Sequence, residues 1–284
     1  PLNKTERKLR YRGAEKIIMK AESAVLVIGD LHSGKKTASF DIAVLEERMK
    51  NMGNNVVKVL SILKPAYSIA NLYILQTGDM IDNDSIYKTQ KYHTDPQADY
   101  PWAQVKGLIN IMEPVYRKLK DNTGLPIKIY GVRGNHGRVS RYTSESNNFD
   151  LMYYDYLQSK LEGVIDVYSS PKFAEVVEIQ GHGVLIYHGA GIRMYQNLPH
   201  YGIVQRVMRW KQSLDAPFSI VCLGHFHTFG YYKWIGTEIF LSGTAVTDDE
   251  FAMEELGMDG EPTFWLFGVH PERGVTWRFP IPLI

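Results

Sequence analysis

Short apolar runs alternate with stretches of helical periodicity along most of the chain. AVLVI (24–28), LYILQ (72–76), IKIYGV (127–132), VLIYH (184–188) and FSIVCL (218–223) are continuous apolar runs of strand length. Between the first two, Ile42, Leu45, Met49, Met52, Val56, Val59 and Leu63 recur mostly three or four residues apart and stop before Pro65. That spacing predicts an amphipathic helix over 39–63, with Gly53 and the Asn pair after it as a point where it divides in two. Residues 102–120, 148–161 and 201–214 predict three more helices, the first bent or restarted at Pro114. Strand, helix, strand, helix is the signature of an α/β fold. The remainder is strand-rich. FAEVVEIQ (173–180) meets VLIYH through the turn residues of QGHG, a hairpin signal, and YYKWI, EIFLS, TFWLFGV and VTWRF follow residue 228, joined by glycine-containing turns. No Pro/Gly/Ser-rich linker divides the chain. The expectation is one α/β domain of two packed sheets over residues 23–284, preceded by a basic segment, 1–22.

Composition excludes several classes. Of 284 residues, 44% are hydrophobic and 22% charged, an ordinary globular balance that argues against disorder, collagen or coiled coil. The longest apolar runs fall far short of the ~18–20 residues of a membrane span, so no membrane partner is expected. The single cysteine, Cys222, lies in the apolar run SIVCLG and reads as a small buried hydrophobe. Without an intrachain disulfide, a reducing compartment is favoured, and a cytoplasmic location, in a cell or encoded by a phage, is expected. The net charge of +1 does not advertise a nucleic-acid binder, but its distribution is uneven. Residues 1–20 are basic, with Lys4, Arg7, Lys8, Arg10, Arg12, Lys16 and Lys20, whereas 248–261 hold seven acidic residues and no Lys or Arg. Both runs read first as solvated charge. The start at Pro1 reads as the tail of a linker in a longer protein, with a DNA-binding module ahead of it as one possibility.

The chemistry sits at the ends of the strand-like runs. AVLVI is followed by Gly29-Asp30-Leu31-His32, and LYILQ by Thr77-Gly78-Asp79, then Asp82 and Asn83. IKIYGV is followed by Arg133-Gly134-Asn135-His136-Gly137. VLIYH ends in His188-Gly189, and FSIVCL is followed by Gly224-His225-Phe226-His227. The carboxyl edge of an open α/β sheet is where ligands bind. Asp30 and His32, like His225 and His227, are two apart, so in extended chain each pair points to one side. Seven oxygen and nitrogen donors (Asp30, His32, Asp79, Asn135, His188, His225, His227) exceed the needs of one zinc ion. They suffice for two divalent ions sharing a carboxylate. Without a thiolate, manganese is favoured, with iron or zinc also plausible. Such a pair keeps a net positive charge, attracts a phosphate ester, and can supply hydroxide for in-line attack on phosphorus.

The ordered set GDLH, GDMIDN, GNHG, YHG and GHFH resembles the calcineurin-like metallophosphoesterase superfamily, from about Val25 to His227. The resemblance implies a four-layer α/β/β/α sandwich of two mixed sheets flanked by helices. It implies that Asp30, His32, Asp79 and His227 hold one metal, and that Asp79, Asn135, His188 and His225 hold the other, with Asp79 bridging. His136 would face the substrate and protonate the leaving oxygen, and Asp82 sits where some members orient that histidine with a carboxylate. There are departures. Many relatives carry an acidic residue after GNH, where this chain has Gly137 and then Arg138. The arginine that follows the second motif's later Asp in protein serine/threonine phosphatases is replaced by Asn83, which counts against a phosphoprotein phosphatase.

Arg138 and Arg193 are candidates for binding substrate phosphate, and Arg141 is a weaker one. The polar, aromatic segment 86–101 reads as a solvated insertion before it reads as a lid. His93, His182, His200 and His270 read as ordinary histidines. Tyr153, Tyr154 and Tyr156 read as packing rather than a base-stacking platform. Arg206, Arg209 and Lys211 read as a solvated helix face before a phosphate-tracking one. The function expected is a two-metal phosphodiesterase, a nuclease or nucleotide phosphodiesterase nearer the repair-exonuclease and phage branch, acting on DNA or a nucleotide. A phosphomonoesterase or nucleotide pyrophosphatase is the alternative. A non-enzymatic scaffold would be expected to lack ligands, and none is missing. A homodimer is compatible with the sequence.

Overall fold

The computed structural model describes residues 20–87, 90–196, 198–249 and 260–284. The basic run up to residue 19 and residues 250–259 of the acidic run lie outside them.

Among the described residues, eleven strands form two sheets. The first holds β1 (Glu22–Ile28), β2 (Ile69–Gln76), β3 (Ile127–Val132), β4 (Asp166–Ser170), β10 (Thr263–His270) and β11 (Gly274–Pro282), in the order β11-β10-β1-β2-β3-β4. Strands β1 to β4 run parallel, and β10 and β11 complete the sheet as an antiparallel hairpin. The second holds β5 (Ala174–Ile179), β6 (His182–Tyr187), β7 (Ile220–Leu223), β8 (Gly230–Trp234) and β9 (Thr237–Leu241), in the order β5-β6-β7-β9-β8, with β6, β7 and β9 parallel. Both sheets are therefore mixed, as the resemblance implied.

Side-chain alternation along β1 creates the layers. Ala24, Leu26 and Ile28 face a core shared with the helices α1 (Ile42–Leu63), α2 (Pro101–Thr123) and α3 (Phe149–Leu161). Val25 and Val27 face the other way, into a core between the sheets with Leu75, Val132, Ile186, Cys222 and Phe240. On the far side of the second sheet, α4 (His200–Ser213) contributes Ile203, Val207 and Trp210 to a third core with Leu185, Val221 and Ile239. The result is helix, sheet, sheet, helix. No helix among the described residues is long and apolar enough to cross a membrane.

Several local expectations need correction. Helix α1 does not divide at Gly53. A Cβ there would lie 3.2 Å from Val115 Cγ1, so the glycine lets α1 and α2 pack closely. Helix α2 runs unbroken through Pro114, whose missing N–H frees the carbonyl of Asn110; both residues are exposed, so water can satisfy it. Strand β4 was not anticipated. DVYSS is an edge strand with alternate positions in water, and carries no apolar run. Glu22, assigned by sequence to the preceding segment, is the buried first residue of β1 and accepts from Trp277 Nε1 at 3.1 Å. The QGHG hairpin is present: Gln180 and Gly181, both at positive φ, turn β5 into β6. Tyr153 and Tyr154 are fully buried, and Tyr154 donates its hydroxyl to Val132 O, so both are packing residues.

Candidate metal centre

The parallel strands β1, β2, β3, β6 and β7 all end at one edge of the sandwich, and each motif lies just past one of those ends. The chain does not stay extended there. Asp30, His32, Asp79, His225 and His227 all adopt left-handed backbone, with φ of 53°, 45°, 51°, 74° and 53°. The two-apart, same-side reasoning for Asp30/His32 and His225/His227 therefore fails. The pairs converge because the backbone kinks left-handed at each strand end, a conformation that costs of order 1–3 kcal/mol per non-glycine residue and clusters at functional sites.

These kinks are held by neighbouring loops. Asp30 O accepts from Thr244 Oγ1 at 2.8 Å and from Ala245 N at 3.1 Å, and the Asp30 carboxylate accepts from His225 N. Asp79 O accepts from His32 N at 3.0 Å. The buried Asp150 carboxylate, from the first turn of α3, accepts four backbone N–H groups: Asp79 (3.0 Å), Met80 (3.0 Å), Ile81 (3.2 Å) and Gly134 (2.8 Å). Close approach at the third motif requires glycine, since a Cβ on Gly134 would lie 2.0 Å from Asp79 Oδ1.

Two ligand clusters result. In one, His32 Nε2 lies 3.1 Å from His227 Nε2 and 4.0 Å from Asp30 Oδ1, with His227 Nε2 3.5 Å from that same oxygen. In the other, His188 Nε2 lies 3.0 Å from Asp79 Oδ2 and 2.9 Å from Asn135 Oδ1, beside the ring of His225. Ligand atoms of Asp30, His32 and His227, and of Asp79, His188 and His225, group within 4.8 Å, and Asp79 also groups with His32 and His136. Asp79 therefore lies between the two clusters. The donor set is all oxygen and imidazole nitrogen. His32 and His188 donate their Nδ1–H groups to Asp82 Oδ1 (2.9 Å) and Thr77 O (2.9 Å), turning Nε2 inward, as in metal-ligating histidines. The residues thus fit a pair of divalent ions.

The charges agree. Burial pushes the Asp79 carboxyl up, but His188 and His136 outweigh it and hold it well below the usual range. Burial also opposes charge on His188, yet Asp79 and Asp30 raise it to about 9. His225, buried and facing that cation, falls to about 3.

His136 borders the ligand clusters, with a ring nitrogen grouped with His32 and Asp79. Its Nδ1 lies 3.2 Å from Asp82 Oδ1, the oxygen that also takes His32, and its ring is edge-on to His32. Burial disfavours its charge, but Asp79 and Asp82 together raise its pKa. Gln90 Nε2, which also donates to Asp82 O, lies 3.0 Å from the same Nδ1. Tyr87 OH accepts from Asn135 Nδ2 at 2.8 Å. Asn83 donates its side-chain amide to the carbonyls of His136 (2.9 Å) and Arg138 (2.6 Å). Segment 86–101 is thus partly built into the site, with Gln90 buried, rather than a solvated insertion. Sequence reading missed Tyr87, Gln90 and Asp150, and flagged Asn83 only as a departure; nothing in their local pattern marks them.

A cavity of about 560 Å³ opens beside Asn135, His188 and His225, with Arg133, Arg138 and Arg206 on its walls. Arg138 donates Nε to Asn135 O at 3.1 Å. Arg193 is not on that wall. It is exposed and lines the adjoining cavity.

No curated protein sequence matches this chain. Among solved structures, Vacuolar Protein Sorting 29 from Cryptosporidium parvum is similar at 18% identity over 88% of this chain and 86% of that one, with a TM-score of 0.43. A novel archaeal phosphodiesterase is similar at 14% identity, 91% and 98% coverage and a TM-score of 0.42. A conserved uncharacterized protein from Streptococcus pneumoniae TIGR4, described as a phosphoesterase from its sequence, is similar at 12% identity, 92% and 98% coverage and a TM-score of 0.33. The calcineurin-like phosphoesterase family matches residues 23–268, which span every motif from Asp30 to His227. With five strand ends delivering Asp, Asn and His to one double cluster, and that match across most of its length, the chain belongs to the calcineurin-like phosphoesterase family.

Proposed function

We propose that the protein hydrolyses phosphodiester bonds, in nucleic acid or a nucleotide, with two divalent ions held by Asp30, His32, Asp79 and His227 and by Asp79, Asn135, His188 and His225. Manganese is the metal proposed, because the donors are carboxylate, amide and imidazole without thiolate. When bound, such a pair lowers the pKa of water and offsets charge on the phosphate oxygens.

The chain's own groups supply the rest. Asp82 holds His136 by Nδ1 and favours its cationic form, which leaves Nε2 to deliver a proton to the departing oxygen. Arg138, oriented by Asn135 O, borders the cavity where a phosphate's non-bridging oxygens would lie, and its fork suits two of them at once. The observation that carries this reading is the placement of Asp79 between two ligand clusters, with the Asp82-held His136 beside it.

The test is hydrolysis of bis-(p-nitrophenyl) phosphate against p-nitrophenyl phosphate by the manganese-loaded protein. The diester is expected to have the higher kcat/KM. A clear preference for the monoester would replace this reading with a phosphomonoesterase or nucleotide pyrophosphatase.

A further inference from the structure

The cavity beside His188 and His225 continues into a second one of about 490 Å³, and the two share Gly191 and Arg206. Each is of the size of a small-ligand pocket. The second is lined by Arg193, Arg206 and Arg209 and by no acidic residue.

Most arginines of this face have no carboxylate partner. Among the described residues, the arginines within ion-pair distance of a carboxylate are Arg117, Arg133, Arg273 and Arg278. Arg48, Arg138, Arg141, Arg193, Arg206 and Arg209 are not among them. Four of these six gather on two adjoining cavities, whereas Arg48 donates to Ala245 O and Thr247 Oγ1 and Arg141 lies over the Tyr87 ring. Arg206 is at the junction and is oriented: Nη2 donates to Gly191 O at 3.0 Å, and the guanidinium lies over the Trp210 ring at 5.8 Å.

Exposed aromatic rings accompany the charge. Tyr195, two residues beyond Arg193, is 66% exposed, and Tyr201, next to the cavity-lining Gly202, is 63% exposed. Their ring centroids are 6.4 Å apart. Cations that track a backbone, beside aromatic faces open to stacking, are the features by which unpaired nucleotides are held. A duplex keeps its bases stacked on one another and offers them to no such rings.

We propose that the second cavity is a subsite for single-stranded nucleic acid, binding phosphates and bases beyond the scissile bond through Arg193, Arg206, Arg209, Tyr195 and Tyr201. That a bond is cut next to this subsite rests on the phosphodiesterase reading; the binding does not.

The experiment is fluorescence anisotropy on the full chain in EDTA, which prevents turnover. The probes are a labelled dodecathymidylate, a duplex of equal length, and inorganic polyphosphate as competitor. The single strand is expected to bind at least about tenfold more tightly than the duplex. Arg193→Ala/Arg209→Ala is expected to weaken it by about tenfold or more and to reduce the slope of log K against log salt by about 1.4. Tyr195→Ala/Tyr201→Ala is expected to weaken the oligonucleotide and leave polyphosphate competition unaltered. All four side chains are exposed, so thermal melting is expected to stay at the wild-type value. Binding unaffected by the arginine pair, tighter binding of duplex, or equal loss of oligonucleotide and polyphosphate binding with the tyrosine pair would each overturn the proposal. Binding without diester cleavage would instead overturn the phosphodiesterase reading and leave the subsite standing.

Discussion

Asp150 Oδ2 accepts the backbone N–H of Asp79 at 3.0 Å and that of Gly134 at 2.8 Å, so one carboxylate joins the loop after β2 to the loop after β3. Its other oxygen takes Met80 and Ile81. Burial and the charge of Asp79 push Asp150 up to about 7, against the four N–H groups that favour its ionised form. In Asp150→Asn an NH2 would face two N–H donors. The expected cost is about 2–4 kcal/mol, with a melting temperature lower by roughly 5–10 °C. Metal affinity should also fall, because the Asp79 backbone loses its anchor. Calorimetric melting and metal titration of the variant check both.

His136 touches Asp82 and groups with His32 and Asp79, but is not one of the seven proposed ligands. His136→Ala is expected to retain both metals and lose ~10²–10⁴ in turnover. Loss of metal in elemental analysis would contradict that role. Asp82→Asn removes one of the two negative charges that raise the His136 pKa, so the alkaline limb of kcat should move to lower pH. A pH profile of the variant reads this directly.

Asp79 lies between both clusters, and its carboxylate accepts from His136 N at 2.8 Å. Asp79→Asn is expected to weaken both ions together, seen as the loss of two peaks in anomalous scattering. Loss of a single peak would show that the carboxylate serves one ion.

Gly134→Ala should act on the same carboxylate from outside, because its Cβ would meet Asp79 Oδ1 at 2.0 Å. The expected outcome is weaker metal binding in a chain that still folds, checked by metal titration alongside circular dichroism.

In the metal-free protein the His188 imidazole is raised from 6.5 to about 9. Its cation therefore contributes stability that is fully present below pH 6.5 and lost as pH rises through 9. A metal needs the neutral ring, so metal binding at pH 7.5 should expel a proton from His188, and affinity should rise with pH until about 9. His225, lowered to about 3, adds no proton in this range. Titration calorimetry in buffers of different ionisation enthalpy should give a proton release that disappears above pH 9.5.

Every described strand but β4, and the seven metal-ligand candidates, were legible in the sequence. Continuous apolar runs encode buried parallel strands, and a strand buried on both faces has few other ways to appear. The glycine-flanked Asp, Asn and His after each run were legible for the same reason: chemistry at a strand end interrupts an apolar pattern abruptly. Strand β4, the continuity of α1 and α2, and the left-handed backbone of Asp30, His32, Asp79, His225 and His227 were not. An edge strand is half in water, a glycine within a helix packs against a partner remote in sequence, and a strained φ persists only where surrounding loops over-determine it.

The residues that orient the chemistry were decided by tertiary structure alone. Asp150, Gln90 and Asn83 act through hydrogen bonds to backbone or ring atoms 8 to 71 positions away. A hydrogen bond across that separation leaves no periodicity behind. Arg193 and Arg206 make the same point for charge. Sequence position put Arg193 next to a motif, whereas the fold turned it into the adjoining cavity and brought Arg206, from the second turn of α4, to the wall beside His188 and His225. The sequence by itself determined which groups could bind metal, because residue type is chemistry. Only the packing of the sheets and helices decided which of them meet, because distance in space is set by the cores between the layers and not by the count of residues along the chain.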